Sequence, residues 1–244
     1  MRLVVLDTET TGTDPDRGDR IVEIGAILIE KRKIRRDVIW HRYLNPERPI
    51  PEETTRIHGI TDEMVKDAPR FFEIADELLA FLRGATLVIH NASFDLKFLA
   101  SELERAGKPF FADAPVIDTL AYARRRHPGE RCSLDALCDR YGVDRSRRTK
   151  HGALLDAELL AEVYLAMTGG AQFSLTAEVE PQPARAFLGL PKTTAVRNEK
   201  SETANIVRPS PIPVSEEDKK RHQAFLDRMR KLGAEPLWLA MAGS

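Results

Sequence analysis

Cysteine is scarce in this chain of 244 residues: Cys132 and Cys138 are its entire supply. Two thiols make no disulfide framework and fit a reducing compartment. Long apolar runs are missing too. No stretch approaches the ~18 residues that a membrane span needs. Met1-Arg2 leads directly into a short strand-like run ending in acids, which is not a signal peptide. Net charge is nearly absent, since 37 basic and 38 acidic residues leave −1. That balance excludes a protein that coats nucleic acid by bulk charge, though not one with a local basic groove. No internal repeat is evident. What remains is 42% hydrophobic residues, enough for a real core, in a length that suits one good-sized domain plus extra or two small ones. The expectation is a cytoplasmic protein with no membrane partner.

The apolar pattern gives a coarse layout. Leu3–Leu6, Ile21–Ile29, Val38–Leu44, Thr86–Ile89 and Pro115–Asp118 read as strands, and Lys31–Arg36 as a hairpin loop. Pro46, Pro49 and Pro51 argue against regular structure around them. Pro69–Arg83, Ser93–Ala106, Leu134–Tyr141 and Gly152–Met167 read as helices. Early strands followed by alternating helix and strand predict an α/β fold, a mixed sheet flanked by helices. After Met167 the composition changes. Six prolines fall between residues 168 and 213, with many Thr, Ser and Ala, which is linker composition. Ser215 followed by Glu216, Glu217 and Asp218 marks a helix start. Phe225, Leu226, Met229 and Leu232 give that helix one apolar stripe that it cannot bury alone. The expected organisation is therefore a domain over 1–170, a flexible linker over 171–213 and a docking segment over 214–244.

The first strand ends in Asp7 and Glu9. Residues two apart in a strand point the same way, and two carboxylates side by side are suited to a hard cation. Alone, the pair is equally a cap and a turn acid. Asp95 follows the strand-like segment 86–89 near a helix start, and Asp156 lies about a turn after His151 at the mouth of another helix. Each acid alone is a favourable first-turn charge. The acids gain meaning only together. His127, Cys132 and Cys138 match no zinc module by spacing, and the two cysteines are expected as buried small hydrophobes.

The series Asp7-x-Glu9-Thr-Thr-Gly12, Asn91-x-x-Phe94-Asp95 and His151-x-x-x-x-Asp156 resembles the DEDD exonucleases of the histidine-containing (DEDDh) subclass. Arg56–Thr61, Leu87–Ala92 and Met167–Gly170 resemble the epsilon-type proofreading subunits of bacterial DNA polymerase III. The resemblance covers the chain from Met1 to about Gly170. It implies a ribonuclease H-like fold, two divalent cations (Mg²⁺ or Mn²⁺) and hydrolysis from a single-stranded 3′ end. Asp7, Glu9, Asp95 and Asp156 would be the ligands, with Asp7 bridging both ions, and His151 the general base. An imidazole's ordinary pKa of ~6.5 suits that role. Two metals ~3.5–4 Å apart can activate water and stabilise the leaving oxygen.

The same resemblance makes Thr10, Gly12, His58, Asn91 and Phe94 the substrate contacts. An aromatic ring there can stack on any base. The run Arg145–Lys150 is a mobile basic loop near the substrate backbone or a solvated charge run. Gln172-Phe173-Ser174-Leu175 is similar to the family's sliding-clamp motif, and tethering there would raise local concentration. The helix from Ser215 with Phe225, Leu226 and Met229, and the Leu237-Trp238 segment, would dock the polymerase alpha subunit; a small theta-like subunit is a further partner by resemblance. Two rival functions stand beside it: an RNA-trimming exoribonuclease with the same acids, which has no need of the long tail, and a non-catalytic replisome adaptor, which has no need of the acids.

Overall fold

The computed structural model describes residues 2–148, 150–169, 180–190 and 227. It divides into units of residues 1–193 and 194–244; in the second, only Asp227 is described, in a helix and exposed. The expected contacts Gln172, Phe173, Ser174 and Leu175, and Phe225, Leu226, Met229, Leu237 and Trp238, lie outside the described residues.

The first unit is built on a six-stranded sheet in the order β3-β2-β1-β4-β5-β6. Its strands are β1 (Arg2–Thr10), β2 (Ile21–Glu30), β3 (Lys33–Tyr43), β4 (Thr86–Ile89), β5 (Pro115–Asp118) and β6 (Gln182–Pro183). β1, β2 and β3 form an antiparallel meander, β4 and β5 continue parallel to β1, and β6 closes the edge antiparallel. The helices are α1 (Glu52–His58), α2 (Asp62–Val65), α3 (Phe71–Leu82), α4 (Ala92–Arg105), α5 (Thr119–Arg126), α6 (Leu134–Tyr141), α7 (Ala153–Met167) and α8 (Ala184–Phe187).

Strand alternation sorts the core. Val4 and Leu6 join the cluster with Leu78 of α3 and Leu96 and Leu99 of α4. Leu3 and Val5 join the opposite cluster with Ala157, Leu160 and Ala161 of α7. Each fully buried aliphatic side chain contributes roughly 1.5–3 kcal/mol, so both faces of β1 are fastened before its acids begin. Across the first face, Arg20 makes a two-pronged ion pair with buried Glu102 of α4, at 2.7 and 2.9 Å. It ties the β1–β2 connection to the helix that carries Asp95.

Three expectations change. The Lys31–Arg36 loop is a two-residue turn, with φ of 49° at Lys31 and 59° at Arg32, and residues 33–36 belong to β3. Such a tight turn needs positive φ at both central residues, and Lys-Arg carries no sequence signal for it. Around the prolines, α1 begins directly behind Pro51, because a proline is harmless where no helical N–H is required. Within the expected linker, residues 182–187 form β6 and α8, with Ala184 N–H bonded to Ala114 O at 2.9 Å and Ala184 fully buried. Proline composition signals a linker only when nothing apolar is anchored, and here Phe187 and Leu188 pack on the core. α5, capped by the Asp118 carboxylate, was also not foreseen from the apolar pattern. Cys132 and Cys138 are buried free thiols as expected, and His127 bonds Tyr141 instead of a sulfur.

Candidate active site

The chemistry-bearing residues gather where β1 outruns its parallel partner. β4 pairs with β1 through Leu3–Val5, so Asp7 and Glu9 project beyond that pairing. They continue the odd-numbered row of Leu3 and Val5, which faces α7. Thr8 points the other way, and its hydroxyl donates to Asp95 Oδ1 at 2.7 Å. Asp95 sits in the first turn of α4, 3% exposed. That turn follows Asn91, which adopts φ 66° and ψ 54°, a left-handed conformation that asparagine tolerates. Asn91 N–H donates to Asp118 Oδ1, the same oxygen that caps α5.

Asp156 arrives on α7, in the first turn, 4% exposed. Two residues of β2 bring that helix in. Glu23, paired with Glu9, accepts from Ala153 N–H at 3.0 Å through Oε2 and bonds His41 Nε2 at 2.7 Å through Oε1. It thus caps a helix start that has no side-chain cap of its own, at the end where a carboxylate is favoured. Gly25, paired with Asp7, lies so close beneath α7 that a Cβ would fall 2.3 Å from Leu154 N. The sequence signal for both was present: an acid and a glycine inside an otherwise apolar strand.

His151 precedes α7 and is half-exposed, its side chain 49% accessible. Its backbone N–H donates to Ile57 O at 3.2 Å, which fastens it to the end of α1. Ligand atoms of Glu9, His151 and Asp156 lie within 4.8 Å of one another. Asp7, His151 and Asp156 line one cavity of about 600 Å³, together with His90, Asn91, Arg124 and Arg131.

The electrostatics describe a crowded anionic site. Burial, followed by repulsion from Asp95, Glu9, Asp156 and Glu23, holds Asp7 well above the usual carboxylate range. Burial and then Asp156, Glu23 and Asp95 push Glu9 up to about 8. Burial pushes Asp95 up to about 7, against the Thr8 hydrogen bond. Asp156 goes the other way. Burial acts to raise it, but the contacts with His151 and Arg148 outweigh that and lower it.

Arg148 is the residue that sequence reasoning undervalued. Within the expected mobile or solvated basic run, Arg145 pairs with Asp139 and Arg147 with Glu158 on the outside. Arg148 turns inward with a side chain only 7% accessible. Its run of basic neighbours concealed it.

Of the expected substrate contacts, Asn91 lines the cavity that holds Asp7, His151 and Asp156. Thr10 Oγ1 donates to Gly12 O at 2.5 Å. A Cβ on Gly12 would fall 2.2 Å from Asp19 Oδ2, so a larger residue there would displace the Asp19 carboxylate from Thr11 Oγ1 and Asp14 N–H. His58 is buried, its Nδ1 accepts from Ile60 N–H at 3.0 Å, and desolvation lowers its pKa. Phe94 is half-buried with its ring 5.0 Å from Phe98. It also lines a notch of about 380 Å³ with Asn91, Ser93, Lys97, Phe187 and Leu188. Asn91 is common to both cavities.

Comparison with known proteins bears on this arrangement. The profile of the exonuclease family RNase T matches residues 4–164. A DNA polymerase III subunit epsilon from Rickettsia typhi is 43% identical over 232 residues, covering 94% of this chain and 97% of its own length. One from Escherichia coli K12 is 42% identical over 253 residues, covering 98% of each. Among solved structures, exonuclease X in complex with 5′ overhanging duplex DNA superposes with a TM-score of 0.54 at 28% identity, over 68% of this chain and 90% of that one. The nuclease domain of 3′hExo, a DEDDh family member bound to rAMP, gives 0.61 at 18% identity, over 72% and 96%, and speaks for the fold alone.

Proposed function

This chain belongs to the RNase T exonuclease family and is 42–43% identical to epsilon subunits over nearly its whole length, and from that premise we propose that it is the 3′→5′ proofreading exonuclease subunit of a bacterial DNA polymerase III. The observation that carries the reading is the convergence of Asp7, Glu9, Asp95, Asp156 and His151 from three separate elements and a loop onto one end of the sheet.

Exonucleases of the DEDDh type work with divalent metal ions, and the residues here fit such ions. Burial raises three of the carboxyl groups, helped by repulsion from neighbouring acids at Asp7 and Glu9, and a guanidinium covers the fourth, so the donor set is short of positive charge. Asp7, Glu9, Asp95 and Asp156 would hold two ions, Mg²⁺ or Mn²⁺. Bound there, they would supply a nucleophile at neutral pH and charge for the departing oxygen.

The chain's own groups do the rest. His151 accepts the proton of the attacking water at Nε2, while Nδ1, 3.2 Å from Asp156 Oδ2, is oriented by that carboxylate. Thr10 and Gly12 present a closed backbone loop to the terminal nucleotide, and His58 lies beside them. Phe94 and Asn91 receive the sugar or base by stacking and edge contact, which accepts all four bases. Discrimination then comes from fraying, because an unpaired end reaches the site at lower cost. Docking to the polymerase alpha subunit through 214–244, to the clamp through 172–175 and to a theta-like subunit rests on sequence resemblance.

The test is timed digestion of a 3′-mismatched DNA primer, its matched counterpart and an RNA oligomer with Mn²⁺. The expected result is stepwise release of mononucleotides from the 3′ end, fastest for the mismatch and faster for DNA than RNA. Preference for RNA would favour the trimming enzyme. Intact substrates would favour the adaptor.

A further inference from the structure

Arg148 spans both oxygens of Asp156, with Nε 2.5 Å from Oδ1 and an Nη 2.6 Å from Oδ2. The same Nη lies 2.7 Å from His151 Nδ1, and the other Nη is 2.6 Å from Asp135 Oδ1. A two-pronged guanidinium–carboxylate contact is among the stronger charge-assisted pairs, and this one is sheltered, with both side chains at most 7% accessible. It uses the acceptor positions that Asp156 would offer to an ion. It also dictates a tautomer. A guanidinium N–H can only donate, so His151 Nδ1 must accept, and the ring proton of neutral His151 then sits on Nε2. That is the nitrogen a base facing water would need bare. One side chain therefore withholds a carboxylate and an imidazole together.

We infer that Arg148 is a built-in cation of the carboxylate site, which occupies Asp156 in the metal-free chain and must leave it before a divalent ion can bind there. The inference rests on the proposed ligand role of Asp156. Departure is mechanically simple. Arg148 lies on the irregular connection between α6 and α7, not on a helix. Asp135, at the start of α6 with a side chain 45% accessible, already holds one Nη toward the outer edge of the cavity. With the guanidinium moved to that edge, Nδ1–H of His151 can donate to Asp156 Oδ2 and Nε2 is freed. Loading the site and arming the base thus become one event.

The test is calorimetric titration of the full-length chain with Mn²⁺, for the unaltered protein, Arg148→Gln and Arg148→Lys. Removing the competitor should tighten Mn²⁺ binding on the order of tenfold in R148Q, a normal size for coupling between two ligands of one site. R148K keeps the charge but loses the fork that spans a carboxylate, and should tighten binding about threefold. The rise in melting temperature at saturating Mn²⁺ should be larger in both variants, since the ion replaces a lost internal cation. Unchanged or weaker Mn²⁺ binding in R148Q would overturn the inference. So would R148K at unaltered affinity, which would reduce the effect to net charge. If the unaltered chain bound no Mn²⁺ at all, the metal reading itself would fall, a separate result.

Discussion

Glu9 and Asp95 keep their protons to about pH 8 and about pH 7, burial being the first cause in each. Their ordinary values are 4.5 and 3.8. Between those limits the folded chain holds protons that the unfolded chain has released, so stability falls as pH rises. Asp7 acts in the same direction. Asp156 has a lowered pKa; its contribution is lost only as pH drops through that low value, so it is present throughout the window. In chelator, the melting temperature should therefore decline from pH 5 to pH 8. Added Mn²⁺ should raise it more at pH 8 than at pH 6, because ligand carboxyls must shed protons to bind. A melting temperature that is flat or climbs with pH in chelator would contradict the crowded-anion account. At this scale the sequence was legible where chemistry and period coincide. Asp7 and Glu9 are visible as acids two apart at the end of an apolar strand. Arg148 was not, because one inward-facing arginine among four basic residues of 145–150 differs from the others only in three dimensions.

Among the elements, α7 decides the site, and what seats it is Gly25. The missing Cβ lets Ala153 and Leu154 lie directly on β2 at the residue paired with Asp7. Gly25→Ala should force the helix start outward, because the conflicting atoms are backbone and cannot rotate away. Overpacking of this kind costs about 1–3 kcal/mol. A displacement near 1 Å of a reacting group costs about 10²-fold in rate. Denaturant unfolding and nuclease assays on G25A check both; unaltered values would mean that Asp156 is positioned by something else. The existence of α3, α4, α6 and α7 and of five strands was readable from period, because each buries one face against a neighbour. α1, α5 and the Lys31-Arg32 turn were not, since their starts depend on a proline, a capping carboxylate from a strand end and backbone angles that composition does not encode.

For the molecule as a whole, the informative feature is where the first unit ends. The composition change at Met167 suggested a boundary near 170, yet β6 pairs with β5, Ala184 of α8 is fully buried, and Phe187 and Leu188 pack against the core. A chain ending at residue 193 should be more stable than one ending at 170, by about 2–3 kcal/mol from the apolar area covered, read by denaturant unfolding of the two proteins. Equal stabilities would return 180–190 to the linker. The prolines misdirected the reading because Pro183 stands on an edge strand, where its missing N–H costs nothing.

The central claim is that acids far apart in the chain form one divalent-ion site that serves hydrolysis at a 3′ end. Its most direct test is the rate of release of the terminal nucleotide from single-stranded DNA, measured for the full-length chain and for Asp7→Ala, each with Mn²⁺ and with chelator, with circular dichroism confirming an intact fold. The account predicts a loss on the order of 10³-fold or more on either removing the ion or replacing Asp7. Undiminished release in chelator, or in folded Asp7→Ala with Mn²⁺, would contradict it.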